Sequence, residues 1–237
     1  MELAWHAIFL PFLKGIFCLQ ETKVSSKGLL MIPNFVIFEV LRKEREGGGL
    51  MTGIHDNLNP VLIFEDEESE ILVVQINVNH ISIRIINCYG PQEYSNIEKI
   101  ITFYATLDQI IQNARIDGCY VLLQMDANAK VGPDVIKGDP HPQSSNGQYL
   151  VDLIERNNLI ICNSTEKCQG LITRRRMTKT NAEESIIDYL IVCEQLFPYL
   201  ENMQINPAYN PISTLKTFVQ ALFLQSWVIA PPNLQLN

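Results

Sequence analysis

The stretch Leu122–Gly132, LLQMDANAKVG, places a carboxylate and a carboxamide directly after an almost wholly apolar run. The run ending at Met125 predicts a buried β-strand. Asp126 and Asn128 then stand at the strand end, where short polar side chains either begin a turn by bonding nearby backbone groups or contribute to a catalytic site that the sheet holds in place. The choice between these two interpretations depends on the residues at the ends of the other strands.

The composition describes a folded, acidic protein. Of its 237 residues 47% are hydrophobic, and 26 acidic against 18 basic residues give a formal charge of −8. A core of this size excludes a disordered chain, and an acidic surface attracts nucleic acid only through a local basic patch. Six cysteines without a CxxC pair and four scattered histidines argue against structural zinc. We expect an intracellular monomer, in the nucleus or cytoplasm, without targeting signal or membrane span.

Strands outnumber helices in the predicted secondary structure. Apolar residues at helical spacing predict one helix from Asn96 to Arg115, capped by Asn96, and another from Gln148 to Asn157. No repeat or linker divides the chain, so we predict one α/β (α+β) domain with hairpins in its first half and strand–helix–strand units in its second. Runs of β-branched residues bounded by turn residues predict strands at Ile16–Leu19, Phe35–Val40, Leu50–Ile54, Val61–Phe64, Ile71–Val78, Ile81–Cys88, Tyr120–Met125, Leu159–Cys162 and Ile186–Val192.

Acid, amide or phenol side chains stand at the edges of four of these strands. Glu21 follows the first strand in LQET, Tyr89 lies in NCYGPQ, and Asp188 lies in ESIIDYLIV, in addition to the pair Asp126 and Asn128. Each cluster alone is most simply a turn or a cap. Four of them in one chain favour a shared site at the strand ends.

In this order the clusters resemble the endonuclease/exonuclease/phosphatase, or DNase-I-like, superfamily, and most closely the endonuclease domains of LINE-type non-LTR retrotransposons. The resemblance extends over Ile16–Val192, about three quarters of the chain. The matching pieces are Gln20-Glu21-Thr22, Gly47-Gly48-Gly49 before a strand, Asn87-Cys88-Tyr89-Gly90-Pro91, Asp126-Ala127-Asn128, Asn146-Gly147 before a helix, Thr173-Arg174, and Ser185-Ile186-Ile187-Asp188-Tyr189.

The resemblance implies a four-layer α/β/β/α sandwich with a DNA-cleaving site where strands of both sheets end. Glu21 would bind Mg²⁺, or Mn²⁺, as a Lewis acid on the phosphate. Asp126 would orient or deprotonate the attacking water, and Asn128 would donate a hydrogen bond to charge growing on the phosphate. On an extended chain these two side chains would point to one side. Tyr89 would bond a phosphate oxygen, and Asp188 would support the network.

Further residues are candidates for binding the substrate. Thr173 matches a position near the scissile phosphate, and Arg174, Arg175 and Arg176 form the densest basic cluster of the chain, which favours contact with the phosphate backbone. The alternative for the arginines is a solvated hairpin edge. Asn146 either reaches the site or caps the helix that follows it.

The chain also departs from the family pattern. Active relatives carry an Asn on the first strand and a carboxyl-terminal Ser-Asp-His whose His is the acid/base group. Here residues 1–20 contain no Asn, no Asp follows Asp188 and no His follows His141. We therefore expect a family-like domain over residues 1–205, truncated at its first strand and its last strands, and a divergent apolar tail over residues 206–237 that covers the gap as a helix.

These departures predict that nuclease activity is weak or lost. The alternatives are a catalytically inactive remnant that acts at most as a binding module, and a small-molecule phosphodiesterase of the same fold.

Overall fold

A computed structural model describes residues 15–23, 26–28, 30–42, 48–78, 80–177, 182–206 and 218–223. Its α-helices are α1 (Ile97–Ile116) and α2 (Ser145–Arg156). Its strands are β1 (Ile16–Gln20), β2 (Phe35–Val40), β3 (Leu50–His55), β4 (Val61–Asp66), β5 (Ile71–Val78), β6 (Ile81–Tyr89), β7 (Tyr120–Asp126), β8 (Leu159–Ile161), β9 (Cys168–Gln169), β10 (Arg174–Met177), β11 (Ala182–Ser185), β12 (Asp188–Cys193), β13 (Leu200–Asn206) and β14 (Phe218–Phe223).

A six-stranded sheet in the order β4-β5-β6-β7-β12-β8 forms the centre of the domain. Its neighbours are antiparallel except β6 and β7, which are parallel. A parallel pair needs a crossover connection, and α1 supplies it. β5 and β6 form a tight hairpin in which Val78 pairs with Ile81. Nearly every residue of β5, β6, β7 and β12 is buried, because both faces of this sheet are covered.

One face of the six-stranded sheet packs against helices and the other against a second layer of strands. α1 buries Leu107 and Ile111 against β7, and α2 packs against α1 and β8. The second layer comprises β1-β3-β2 and β14-β13-β9. This is the predicted α/β sandwich, and the described residues supply its helix layer and both sheet layers but contain no helix outside the second layer.

All nine predicted strands are present, with ends shifted by two residues or fewer. The first helix begins after Asn96, whose side chain accepts from the backbone N–H of Glu98, as predicted. The second helix begins three residues earlier than predicted. Ser144 caps it by accepting from the N–H of Gly147, so the suggestion that Asn146 is the cap was wrong.

The carboxyl-terminal segment contradicts the expected helix. Phe218–Phe223 is a strand that pairs antiparallel with β13. The sequence indicated no strand at β9, β13 or β14, and it indicated the hairpin of β10 and β11 only as the alternative for the arginine cluster. The segment before β1, where we expected the first strand to be missing, lies outside the described residues. Most of the tail lies outside them as well. No helix in the described part of the chain has the length and hydropathy needed to cross a bilayer.

Gly147 is required where α2 packs on the loop after β7. A Cβ added there would lie 1.9 Å from the carbonyl oxygen of Lys130. We expect Gly147→Ala to destabilise the fold by about 1–3 kcal/mol, although Ala is favoured over Gly inside a helix by ~1 kcal/mol. Urea denaturation measures the change. Gln148→Ala on the exposed face of α2 is the control, and a gain in stability for Gly147→Ala would contradict the packing described.

Candidate active site

Three polar residues form one row at the end of three adjacent central strands of the six-stranded sheet. Tyr89 on β6 pairs with Asp126 on β7, and Asp126 pairs with Asp188 on β12. Directly opposite residues project from the same face of a sheet, so the three side chains lie side by side. They are almost fully buried, with 6%, 0% and 5% of their surface exposed, which means the core holds them in fixed positions.

Glu21 reaches this row from the second layer. It directly follows β1, is half-buried, and has a positive φ of 55°, a conformation that costs energy in a non-glycine residue. The hydroxyl of Tyr89 donates to Glu21 Oε1 at 2.7 Å. Burial and the neighbouring Glu21 raise the pKa of Tyr89 to about 12, so the phenol keeps its proton at neutral pH and remains a donor.

The loop after β7 turns Asn128 back toward the row. Asn128 has a φ of 48°, its N–H donates to Asp126 Oδ1 at 3.1 Å, and its Nδ2 donates to the carbonyl of Gly90 at 2.9 Å. Gly90 in turn donates to the carbonyl of Asp126 at 2.7 Å. The expected extended conformation from Asp126 to Asn128 is therefore wrong. A left-handed turn brings the two side chains together instead.

Asp188 carries an unsatisfied oxygen. Its Oδ2 is buried and has no hydrogen-bond partner among the described residues. Burial, opposed by Thr173 and Arg174 and reinforced by Glu21, raises the pKa of Asp188 to about 7. A buried carboxyl without a full set of partners favours its neutral form.

At the edge of β12 that faces away from β7, side chains bond the backbone of Asp188. Thr173 Oγ1 accepts from the N–H groups of Ile187 and Asp188 at 3.0 and 3.1 Å. Farther along the same edge, Asn163 donates to the carbonyl of Asp188 at 3.0 Å and accepts from the N–H of Leu190 at 3.1 Å. Asn163 thus replaces the strand partner that β8 would provide if it extended beyond Ile161. Nothing in the sequence around Asn163 indicated this role.

The residues predicted to bind substrate are placed differently from one another. Thr173 and Asn146 have no exposed surface, and Asn146 Nδ2 donates to the carbonyl of Pro91 at 2.9 Å. Both therefore act on the backbone beside the row. Arg174 is half-buried and close enough to Asp188 to lower the pKa of that carboxyl.

Arg175 is paired with an acid across the hairpin of β10 and β11. Its Nε lies 2.7 Å from Glu184 Oε1, and strand register also sets Arg176 opposite Glu183. The acidic strand therefore offsets part of the basic charge that the sequence shows. The described part of the chain accordingly contains the predicted hairpin edge, with Arg174 at the end nearer the row.

Glu70 is a further acidic group beside the site. Its carboxylate accepts from the N–H of Gly49 at 2.9 Å and lies 3.4 Å from Arg42, while its carbonyl accepts from the N–H of Tyr89 at 3.0 Å. Burial raises the pKa of Glu70, and Glu21 adds to the effect. Glu70 is not among the residues that the sequence singled out.

The donor set of the site suits a hard ion held by few protein ligands. Glu21 contributes to raising the pKa of both Asp188 and Glu70, so negative charge is concentrated here and a cation would relieve it. Mg²⁺ commonly binds one or two carboxylates and retains several waters. In the described ranges no group of three or more histidine, cysteine or acidic side chains is placed so that it could hold a metal ion.

Solved structures share this architecture. The endonuclease domain of TRAS1, a telomere-specific non-LTR retrotransposon, superposes with a TM-score of 0.66 at 17% identity, covering 94% of this chain and 92% of that one. The AP endonuclease LMAP from Leishmania major gives 0.72 at 13% identity, covering 93% and 82%. A 3′ phosphatase, NExo, from Neisseria, bound to a product DNA hairpin, gives 0.68 at 14% identity, covering 93% of each chain.

The chain has the DNase-I-like fold. The predicted fold class is therefore confirmed. A retrotransposon endonuclease domain is among the structural neighbours of the chain. No family model and no curated protein matches the sequence.

The raised pKa of Asp188 gives a signed pH dependence of stability. Its pKa rises from 3.8 unfolded to about 7 folded, so the folded state binds more protons between these values and stability falls as pH rises through them. We expect Asp188→Asn to flatten this decline and to be the more stable protein at pH 8.

Urea denaturation at a series of pH values measures the effect. Asp134→Asn, at an exposed position, is the matched control and should leave the decline unchanged. An equally steep decline in Asp188→Asn would show that Asp188 does not cause it.

Proposed function

We propose that this chain is a LINE-type retrotransposon endonuclease-like domain, built for metal-dependent hydrolysis of phosphodiesters, in which activity is weak or lost. The observation that carries the proposal is the buried row Tyr89–Asp126–Asp188 with Glu21 joined to it from the second sheet layer. A fold shared with nucleases supports the same class of chemistry.

Each member of the row has a role suited to its environment. Asp126 is fully buried and bonded to the N–H of Asn128, so its carboxylate is oriented to hold the attacking water. Tyr89 remains protonated and can donate to a phosphate oxygen. Asn128 donates one amide hydrogen to the carbonyl of Gly90, and its side chain lies near the hydroxyl of Tyr89. Its second amide hydrogen can therefore assist Tyr89 in stabilising negative charge on the phosphate.

Glu21 would hold Mg²⁺, or Mn²⁺, with water completing the coordination. When bound, the ion supplies a Lewis acid for a phosphate oxygen and for the leaving group. Without it, Glu21 keeps its own position through the bond from Tyr89.

The weakness of the proposed activity follows from the surroundings of Asp188. Of the described histidines, His55 pairs with Asp56, His141 bonds the carbonyl of Glu184, and His80 lies in the turn at the opposite end of β6 from Tyr89. None of these contacts supplies an imidazole to the row. Removing an acid/base group typically lowers the rate by ~10²–10⁴-fold. This favours a catalytically inactive remnant as the second candidate.

DNA is the proposed substrate, and Arg174 is its proposed contact with the phosphate backbone. The overall charge of −8 provides no general attraction, so binding would depend on this local cation beside the row.

Cleavage of supercoiled plasmid tests the proposed activity. We expect nicking in the presence of Mg²⁺ at ~10²–10⁴-fold below the rate of the TRAS1 endonuclease domain in the same assay, because an acid/base group is lacking. Any residual nicking should disappear in Asp126→Ala and with EDTA, and persist in Asp134→Asn. Nicking at the reference rate would refute the predicted weakness, and nicking that survives Asp126→Ala would refute the assigned site.

The salt dependence of DNA binding tests the role of Arg174. Each lost phosphate contact reduces the slope of log K against log salt by about 0.9 on duplex DNA. We expect Arg174→Ala to show this reduction and Arg175→Ala a smaller one, because Glu184 already pairs with Arg175. Fluorescence anisotropy with a labelled duplex gives both slopes, and equal slopes for Arg174→Ala and the parent chain would exclude the contact.

A further inference from the structure

Three side-chain amides lie directly beneath the Tyr89–Asp126–Asp188 row and join the two sheet layers. They belong to Gln20 on β1, Asn87 on β6 and Gln124 on β7, and Asn87 and Gln124 are register partners. Asn87 precedes Tyr89 by two positions and Gln124 precedes Asp126 by two, so each projects from the same face as the row. We call Gln20, Asn87 and Gln124 the amide seam.

Asn87 is the centre of the seam and has no exposed surface. Its Oδ1 accepts from Gln20 Nε2 at 2.7 Å. Its Nδ2 lies within hydrogen-bond distance of three acceptors on the other layer, which are the carbonyls of Leu19 at 3.3 Å and Met51 at 3.0 Å and the hydroxyl of Thr52 at 3.1 Å.

Gln124 adds a weaker contact from its Nε2 to the carbonyl of Cys18 at 3.4 Å. Asn87 and Gln124 therefore contact consecutive parts of the same short strand, β1. Glu21 follows that strand immediately and has to meet Tyr89 at 2.7 Å.

We propose that Asn87 is a positioning residue that fixes β1 against the six-stranded sheet at the register where Glu21 meets Tyr89. Apolar packing between the layers is non-directional and would tolerate a small slide of β1. The bonds of a buried carboxamide are directional, and each partner left without its bond would be costly in a dry interface. The amide seam therefore determines the position of Glu21, whereas the apolar core supplies most of the stability.

The proposal deepens the proposed function, because it explains how one member of that site is held, but its test needs neither metal nor DNA. The readout is the distance between the Tyr89 hydroxyl and Glu21 Oε1, which is 2.7 Å in the parent chain. Crystal structures of the variants, solved without metal, measure it. Failure to nick plasmid would leave this measurement valid.

In Asn87→Leu we expect the hydrogen bond from Tyr89 to Glu21 to be lost, with the distance from Tyr89 Oη to Glu21 Oε1 rising beyond ~3.5 Å, because β1 is no longer fixed against the six-stranded sheet. Ile85→Ala is the matched control. It alters a fully buried residue on the same face of β6, two positions before Asn87, and should reduce stability without changing that distance.

Gln20→Leu is a second variant, at a half-buried position, for the case that Asn87→Leu does not fold, and it removes one bond of the seam. It should lengthen the distance from Tyr89 Oη to Glu21 Oε1 by a smaller amount. A distance equal to that of the parent chain in the folded seam variants would overturn the proposal and leave Asn87 as a packing residue only.

Discussion

The register between β6, β7 and β12 is the constraint on which the candidate site depends. Side chains alternate between the two faces of a strand, so a slip by one residue would turn Tyr89, Asp126 or Asp188 toward the helices. All three strands consist largely of buried residues, and a slip would turn their apolar side chains to the opposite face as well. The packing of these side chains therefore opposes a slip. The positions of the polar row are therefore a consequence of core packing, and they require no flexible loop to assemble.

The second layer completes the site through polar contacts across a largely apolar interface. Glu21 joins the row by one hydrogen bond from Tyr89, while Asn87 bonds backbone groups of β1 and β3 beneath it. In such an interface each bond is strengthened by the low local dielectric, and each unpaired group is costly. The same property raises the pKa of Tyr89 and of Asp188, so the architecture and the protonation state of the site have one physical origin.

The sequence revealed the row but not its supports. Apolar runs that stop at Glu21, Asp126 or Asp188 mark strand ends, and the sheet brings those ends together. Asn163 and Glu70 carry no such mark, because a buried polar side chain is identical in sequence to a solvated one until its distant partners are known. Asn128 was misjudged for a similar reason, since its left-handed turn is stabilised by Asp126 and Gly90 together. β14 shows the limit for strands, because its only signal is its pairing with β13.

Stability and the proposed chemistry depend on different groups in this fold. Burying one large apolar side chain contributes roughly 1.5–3 kcal/mol, and the central strands bury many of them. An unsatisfied buried oxygen such as Asp188 Oδ2 costs roughly 1–3 kcal/mol, which the core can absorb. The row can therefore keep its geometry although Asp188 Oδ2 has no hydrogen-bond partner among the described residues. The many apolar contacts maintain the fold, while the proposed chemistry would depend on the few polar groups of the row.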